Sequence, residues 1–450
     1  MSAPEVVAPD RGAPPVQVAA PSRSLPPFDG PASGLPPLTS GGRADRWRLA
    51  WPILACTAAL PLAFAFGLQG AVWTLPALVL GLRLLLVRRP LADDLRVPGA
   101  AWALAAFLVV AALGIFQVAG TGRVVFTYRW LLFAGALASE VWLLFVPKWQ
   151  LSTERVVQWL GLLWIWVVAF GWAAMFLRLD QTSPLQSVLP AGFRSAGFVD
   201  QLSAWRLGEM QYVAGRYVVR PSAPFAWANG WGSAFALMAP CFVRSWLVGV
   251  TPRRRAAGVV LALAGIPPMV ASLNRGAWLT LAVALLYGAV RMAARRDWRP
   301  LGAVMGAAAF TAVLLVITPL GSSVTARLSD VENSNTSRAS IYQLAWEGAL
   351  ESPVVGHGAP REVPGSSLPP VGTHGLAWNL MFSFGLVAAG LFLLWLVLEV
   401  VRSAPSRAPN SLWLHLTLVV GLLQLPMYGL LPEVVLLGIV AGLARREARP

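Results

Sequence analysis

Four residues whose types suit one reaction lie scattered through a strongly apolar chain: Arg220, Arg275, Arg338 and His374. An arginine fork donates paired hydrogen bonds and does not lose its proton, so two or three of them suit a ligand with two negative charges, such as a diphosphate. A histidine titrates near neutrality and takes a proton from a hydroxyl. Together they describe transfer chemistry: cations to stabilise a diphosphate leaving group and a base to activate the nucleophile. Each also has a plainer reading. The arginines serve equally well as headgroup anchors, and His374 as a satisfied histidine at a helix start.

The local contexts share a form. Arg220 opens "RPSAPFAWANGWGSAF", with Asn229 nine residues on. Arg275 sits in the Asn274-Arg275-Gly276 break of "ASLNRGAWLTLAVALLYGAV", where Gly276 is expected to permit a tight reversal. Arg338 begins "RASIYQLAWEGALESP", and His374 begins the run "HGLAWNLMFSFGLVAAG". In the Arg338 segment Ile341, Leu344, Ala345 and Trp346 recur at helical spacing, Thr336 or Ser337 suits a cap, and Pro353 with Gly356 suits an end. A short amphipathic helix at the membrane surface is expected there.

The elements that position these residues follow from composition. Of 450 residues 57% are hydrophobic and 12% charged, with apolar runs of roughly 18 to 25 residues, the length a helix needs to cross a bilayer. Lipid offers no hydrogen-bond partner, and runs this uniformly apolar exclude the alternation of a barrel. The expected fold is all-α, a polytopic helical membrane protein of about twelve transmembrane helices. Its spans are expected near 50–66, 70–87, 100–118, 124–146, 156–177, 223–243, 256–273, 276–292, 301–319, 375–400, 411–427 and 433–444. Residues 1–45, rich in Pro, Ala, Ser and Gly, read as a disordered cytoplasmic tail before a bundle over 46–450.

Charge sets the topology. With a cytoplasmic N-terminus the inner loops and flanks carry 21 basic residues, against Arg123 and Arg275 in the short outer loops. Both termini are then inside, and the two long loops, 178–222 and 320–374, fall outside together with all four candidate residues. The net charge of +15 is spread over loops and forms no continuous face, which argues against nucleic acid. Cys56 and Cys241 lie in apolar runs and read as packing residues, not as a disulfide or metal site. Asp330 and Glu332 read as solvated carboxylates, so no metal is expected. Within spans, Arg83 is placed to snorkel, while Arg129 and Glu140, three turns apart, call for partners on other helices. Just one of the 35 basic residues is Lys, which points to a GC-rich bacterial genome.

Over about residues 215–395 the sequence resembles the O-antigen ligase-like membrane protein superfamily, which includes O-antigen ligases and Wzy-type polysaccharide polymerases. The ligase signature of His, a small polar residue, nine residues and Gly is matched by His374-Gly375, nine residues and Gly385, with Gly375 at the polar position and Ala388 at the small or hydroxylated position that follows. "SLNRGAWLTL" is similar to the family's Ser-Arg-Gly segment, with Asn274 for Ser, and Arg220 with Asn229 resembles the pair that begins a mid-chain span. The resemblance implies a GT-C-like, metal-independent and cofactor-free transferase with a polyprenyl-diphosphate-linked glycan as donor and a glycan or lipid as acceptor. Arg220, Arg275 and Arg338 would hold the diphosphate, supported by Asn229, Asn274 and Gly276, and His374 would be the base of an inverting attack. The alternative is a transporter or flippase for a lipid-linked or anionic glycan. Transporters favour internal repeats and midplane sites, whereas no repeat is evident and the candidates gather at one face.

Overall fold

The computed structural model describes residues 43–86, 99–146, 148, 150–177, 179–194, 197–213, 216–317, 331–366 and 368–448. Ala44–Pro450 form one compact unit. The expected tail lies almost wholly outside the described residues, as does Asp330.

In lipid each backbone N–H and C=O must be satisfied within its own segment, so the apolar runs become helices. In chain order these are α1 (Arg43–Cys56), α2 (Leu60–Ala65), α3 (Gly81–Leu86), α4 (Gly99–Ala112), α5 (Thr121–Phe145) and α6 (Thr153–Phe176). After the short α7 (Pro184–Val188), α8 (Ala191–Arg194) and α9 (Gly197–Ser203) come α10 (Ala228–Trp246), α11 (Pro252–Ala264), α12 (Ile266–Ala271), α13 (Arg275–Ala293) and α14 (Arg299–Ile317). The last four are α15 (Val331–Glu351), α16 (Leu376–Ser403), α17 (Ser411–Gln424) and α18 (Val434–Ala448). Six helices among the described residues are long and apolar enough to cross a membrane: Gly99–Gln117, Thr121–Phe145, Thr153–Phe176, Pro252–Ala271, Arg275–Ala293 and Leu376–Ser403. The other expected spans are helical too: Ala228–Trp246 and Arg299–Ile317 are 19 residues each, and the rest are shorter or interrupted. Ala71–Leu86 passes through 3-10 and π turns before α3.

Small residues let helices approach. On α18, Gly438 and Gly442 lie four apart against α5: a Cβ at Gly438 would fall 2.2 Å from the Ala136 carbonyl, and one at Gly442 2.8 Å from that of Glu140. This is the small-xxx-small contact by which helices pack where lipid supplies no hydrophobic drive. Phe107 of α4, Phe133 of α5 and Phe392 of α16 fill the adjoining core edge to face, with centroids 4.9 to 5.6 Å apart.

The charges inside spans are handled differently. Arg445 of α18 binds both Glu399 oxygens and lies 3.2 Å from Glu140, which also accepts from Trp395 Nε1 at 2.9 Å. One guanidinium thus ties α5, α16 and α18 together. Arg83 lies over the Trp142 ring at 5.8 Å. Arg129 makes no contact with Glu140, and its Nε and Nη1 find no partner among the described residues.

Two long loops prove more structured than their composition suggests. Residues 178–222 hold α7 to α9, a two-residue pairing of β1 (Asp180–Gln181) with β2 (Trp205–Arg206), and a hairpin of β3 (Gly208–Val213) with β4 (Arg216–Pro221). In the second loop α15 starts at Val331, before the expected cap at Thr336 or Ser337. Its buried stripe is Ile341, Ala345 and Ala349, while Trp346, expected on that face, is 46% exposed. Small residues win the buried face because α15 lies close on α16: a Cβ at Gly348 would fall 2.4 Å from the Phe382 ring.

Candidate functional site

The hairpin end of the bundle gathers most of the candidates. In the hairpin Arg220 pairs with Glu209 in register, and its side chain leaves the sheet to bridge three other elements. Nε donates to the Ser272 carbonyl at 2.7 Å, Nη1 to Gln211 Oε1 at 2.9 Å, and Nη2 to Asn229 Oδ1 at 3.1 Å and Asn274 Oδ1 at 3.0 Å. Four of its five N–H donors are thereby engaged, leaving one on Nη1. None of these acceptors is charged; the opposing charge that acts on the guanidinium is that of Glu209, its register partner in the hairpin.

Asn274 is the keystone of the break. Buried between α12 and α13, it accepts from Arg220 and donates Nδ2 to the Ala228 carbonyl at 2.7 Å. Gly232 makes room for it, since a Cβ there would fall 2.2 Å from Asn274 Nδ2. Glu209 accepts from the Ala228 N–H at 3.1 Å, closing the ring around the start of α10. Replacing Asn274 by alanine strips one acceptor from Arg220 and a donor from Ala228. The expected cost is about 1 to 3 kcal/mol of stability, measured as a lower unfolding temperature in detergent.

The break corrects two expectations about its neighbours. The reversal is made by Leu273, at φ 56°, and not by Gly276, which lies inside the first turn of α13. Gly276 is small for another reason: a Cβ there would meet Tyr428 Oη at 2.8 Å and Met427 Sδ at 2.9 Å. Arg275 opens α13, exposed, and no described contact joins it to the other candidates.

His374 stands half-buried just before α16. The helix start is fixed by the segment between α17 and α18: Leu376 N–H donates to the Tyr428 carbonyl at 2.6 Å and Ala377 N–H to that of Leu425 at 2.9 Å. Gly375 turns with φ 82°, and a Cβ there would fall 2.4 Å from the Pro426 carbonyl. A polar side chain at this position would be strained, so its replacement by glycine follows from the backbone. At the signature's other end Gly385 breaks α16, with φ 85° and ψ 166°.

Arg338 is the electrostatic hub. It is partly exposed on α15, without a hydrogen-bond or ion-pair partner among the described residues. Burial holds His374 below its ordinary pKa, and the Arg338 cation lowers it further. Burial lowers Arg220 as well, Glu209 and Tyr428 oppose that, and Arg338 adds to it. One turn after Arg338, Tyr342 stacks on Trp378, one turn after His374, with centroids 4.6 Å apart and planes 10° apart. The stack ties α15 to α16 and so sets Arg338 against His374.

Tyr428 is a member that sequence reasoning passes over. Its hydroxyl accepts from the Ala277 N–H at 2.8 Å, and burial pushes its pKa up against the opposing pull of that bond and of Arg338 and Arg220. The one signal for it is a hydroxyl between Pro426 and Pro432, in a break between two short apolar runs, as at Asn274. Gln211 and Ser272 carry no such signal.

Geometrically, then, Arg220, Asn229, Asn274, Arg338, His374 and Tyr428 meet at one end of the bundle, Gly276 bounds them, and Arg275 stands apart. Such a site offers two cations, Arg338 and the Arg220 that Glu209 opposes, beside an imidazole whose pKa burial and Arg338 hold down. Residues 257–393 match the family described as O-antigen ligase, a segment that includes Arg275, Arg338, His374 and Gly385. The match supports the resemblance to the O-antigen ligase-like superfamily, a family of glycan assembly. Arg220 and Tyr428 lie outside it. A search of curated proteins found no match.

Proposed function

We propose, from an O-antigen ligase domain set in a helical membrane protein, that the chain is a glycosyltransferase of the GT-C type. It transfers or polymerises a polyprenyl-diphosphate-linked glycan onto an acceptor hydroxyl, in surface or exopolysaccharide assembly. The positive-inside bias supports placing the hairpin end at the outer face of a bacterial plasma membrane, with both termini cytoplasmic. The observation that carries the reading is the grouping of the Arg338 cation with His374, Tyr428 and Arg220.

In this reading the acceptor oxygen attacks the anomeric carbon and the bond from that carbon to the diphosphate oxygen breaks, inverting the centre. The acceptor proton passes to His374. The electron pair leaves on the diphosphate, where Arg338 and the free Nη1–H of Arg220 meet the new charge. Arg220 therefore acts mainly as a fixed charge and Arg338 as the adaptable fork. Transfer proceeds without a metal.

The test uses the protein in liposomes with a polyprenyl-diphosphate glycan donor. Glycan product should form in the presence of EDTA. Arg338→Gln should lower transfer roughly 10²- to 10³-fold, the usual cost of losing one donor to a developing oxyanion. Its residual activity should also show a shifted pH profile. His374 works as a base only when neutral, so activity falls as pH drops through its pKa. Removing the cation raises that pKa and moves the acid limb to higher pH. Donor crossing the bilayer with no glycan product would favour the flippase and sink the transferase.

A further inference from the structure

The residue before His374 bears on which of its nitrogens works. Pro370, Val371, Gly372 and Thr373 form a turn in which Gly372 takes φ 85° and the Thr373 N–H returns to the Pro370 carbonyl at 3.3 Å. This is the pattern of a type II turn, which needs a glycine at its third position. The turn is anchored on both sides. Val371 pairs with Arg361 through two backbone hydrogen bonds, and the Gly372 carbonyl accepts from Asn379 Nδ2 at 2.6 Å.

Within that frame Thr373 Oγ1 donates to the Pro370 carbonyl at 2.7 Å and lies 2.9 Å from His374 Nδ1. A threonine hydroxyl has one hydrogen and two lone pairs. With its hydrogen on the carbonyl, it meets Nδ1 only as an acceptor. Nδ1 then carries the imidazole proton, and Nε2 the free lone pair. The opposite tautomer would require the hydroxyl to turn to Nδ1 and abandon the carbonyl, so one side-chain hydrogen bond would replace two. One net hydrogen bond biases such an equilibrium roughly fivefold.

We propose that Thr373 is a positioning residue that fixes the His374 tautomer, so that Nε2 is the atom that takes the acceptor's proton. This rests on His374 being the base. When the acceptor O–H bond breaks, its proton joins Nε2 and the imidazole becomes a cation. Nδ1–H still donates to Thr373 Oγ1, so the hydroxyl holds the ring in place through the step without exchanging a proton. The oriented hydroxyl does here what a carboxylate or carbonyl does for other histidines that act as bases.

The test is spectroscopic first. In protein labelled with 15N-histidine there are three imidazoles, His357, His374 and His415, and the His374 signals are those lost in His374→Ala. Above its pKa, His374 should show a protonated Nδ1 and an unprotonated Nε2. Thr373→Val, which keeps the shape and removes the hydroxyl, should move the pair toward protonated Nε2 and lower kcat roughly fivefold with donor KM unchanged. Thr373→Ser should restore both. An unaltered tautomer signal in Thr373→Val overturns the proposal. A tautomer that shifts while His374→Ala still transfers glycan overturns instead the reading of His374 as the base.

Discussion

His374→Ala is expected to leave a folded protein that has lost glycan transfer by roughly 10²- to 10⁴-fold, the range for removing a positioned general base. The fold should survive because the imidazole is half-buried and its described hydrogen bond is to the neighbouring Thr373. The other two histidines are held quite differently. His357 Nε2 lies 2.9 Å from the Gly348 carbonyl and its ring packs on Phe382 at 4.6 Å, joining α15 to α16. His415 sits between Tyr287 Oη at 3.0 Å and Ser403 Oγ at 2.9 Å, joining α13, α16 and α17. Alanine at either should therefore cost stability, by about 1 to 3 kcal/mol for the buried groups left unpaired. Transfer per folded molecule is the measurement that separates the cases. Full transfer by His374→Ala would sink its role as base.

What the sequence revealed and what it hid divide along a physical line. Helices in an apolar chain are set by local hydropathy and by the need to satisfy the backbone within one segment, so the six helices long and apolar enough to cross a membrane all fall on expected spans. The alternation of loops put Arg220, Arg275, Arg338 and His374 on one face, and in the fold no described contact joins Arg275 to the other three. What could not be read is non-local hydrogen bonding. Beyond Asn229, nothing near Arg220 announces that its guanidinium will be spent on Gln211, Asn229 and the Ser272–Asn274 break, drawn from three parts of the chain. The same blindness assigned the role of the 274–276 break to its charge. In the fold the buried amide of Asn274 binds the neighbouring elements, and the exposed Arg275 does not. Likewise the motif's glycine at 375 reads in sequence as a missing polar residue, and in the fold as a backbone angle.

The second large effect belongs to Gly385, and its argument is steric. At φ 85° and ψ 166° it occupies backbone space that is essentially reserved for glycine. The break it makes frees two carbonyls of α16, which are taken up by another segment: Phe382 O accepts from the His357 N–H at 2.9 Å and Ser383 O from that of Gly358 at 2.8 Å. Beyond the break the Leu386 N–H donates to the Pro353 carbonyl at 2.7 Å. The approach is so close that Gly356, at φ 69°, would place a Cβ 2.5 Å from Phe384 N, and Gly385 would place one 2.7 Å from the Pro353 carbonyl. Every atom opposing that methyl group is backbone, so no side chain can swing away to relieve it. Gly385→Ala should therefore cost more than about 4 kcal/mol, beyond the usual range for a single substitution. The damage should reach the site, because the half-helix that Gly385 terminates is the one that His374 begins. Gly390, five residues on in the same helix, is the internal control. A Cβ there meets nothing within 4 Å, so Gly390→Ala should leave stability unchanged or raise it by about 0.5 to 1 kcal/mol through helix propensity. Paired thermal unfolding in detergent compares the two. Equal unfolding temperatures would show that the break is not built on Gly385, whereas loss of fold and transfer at 385 alone would show that the signature's glycine is there for the backbone that holds His374.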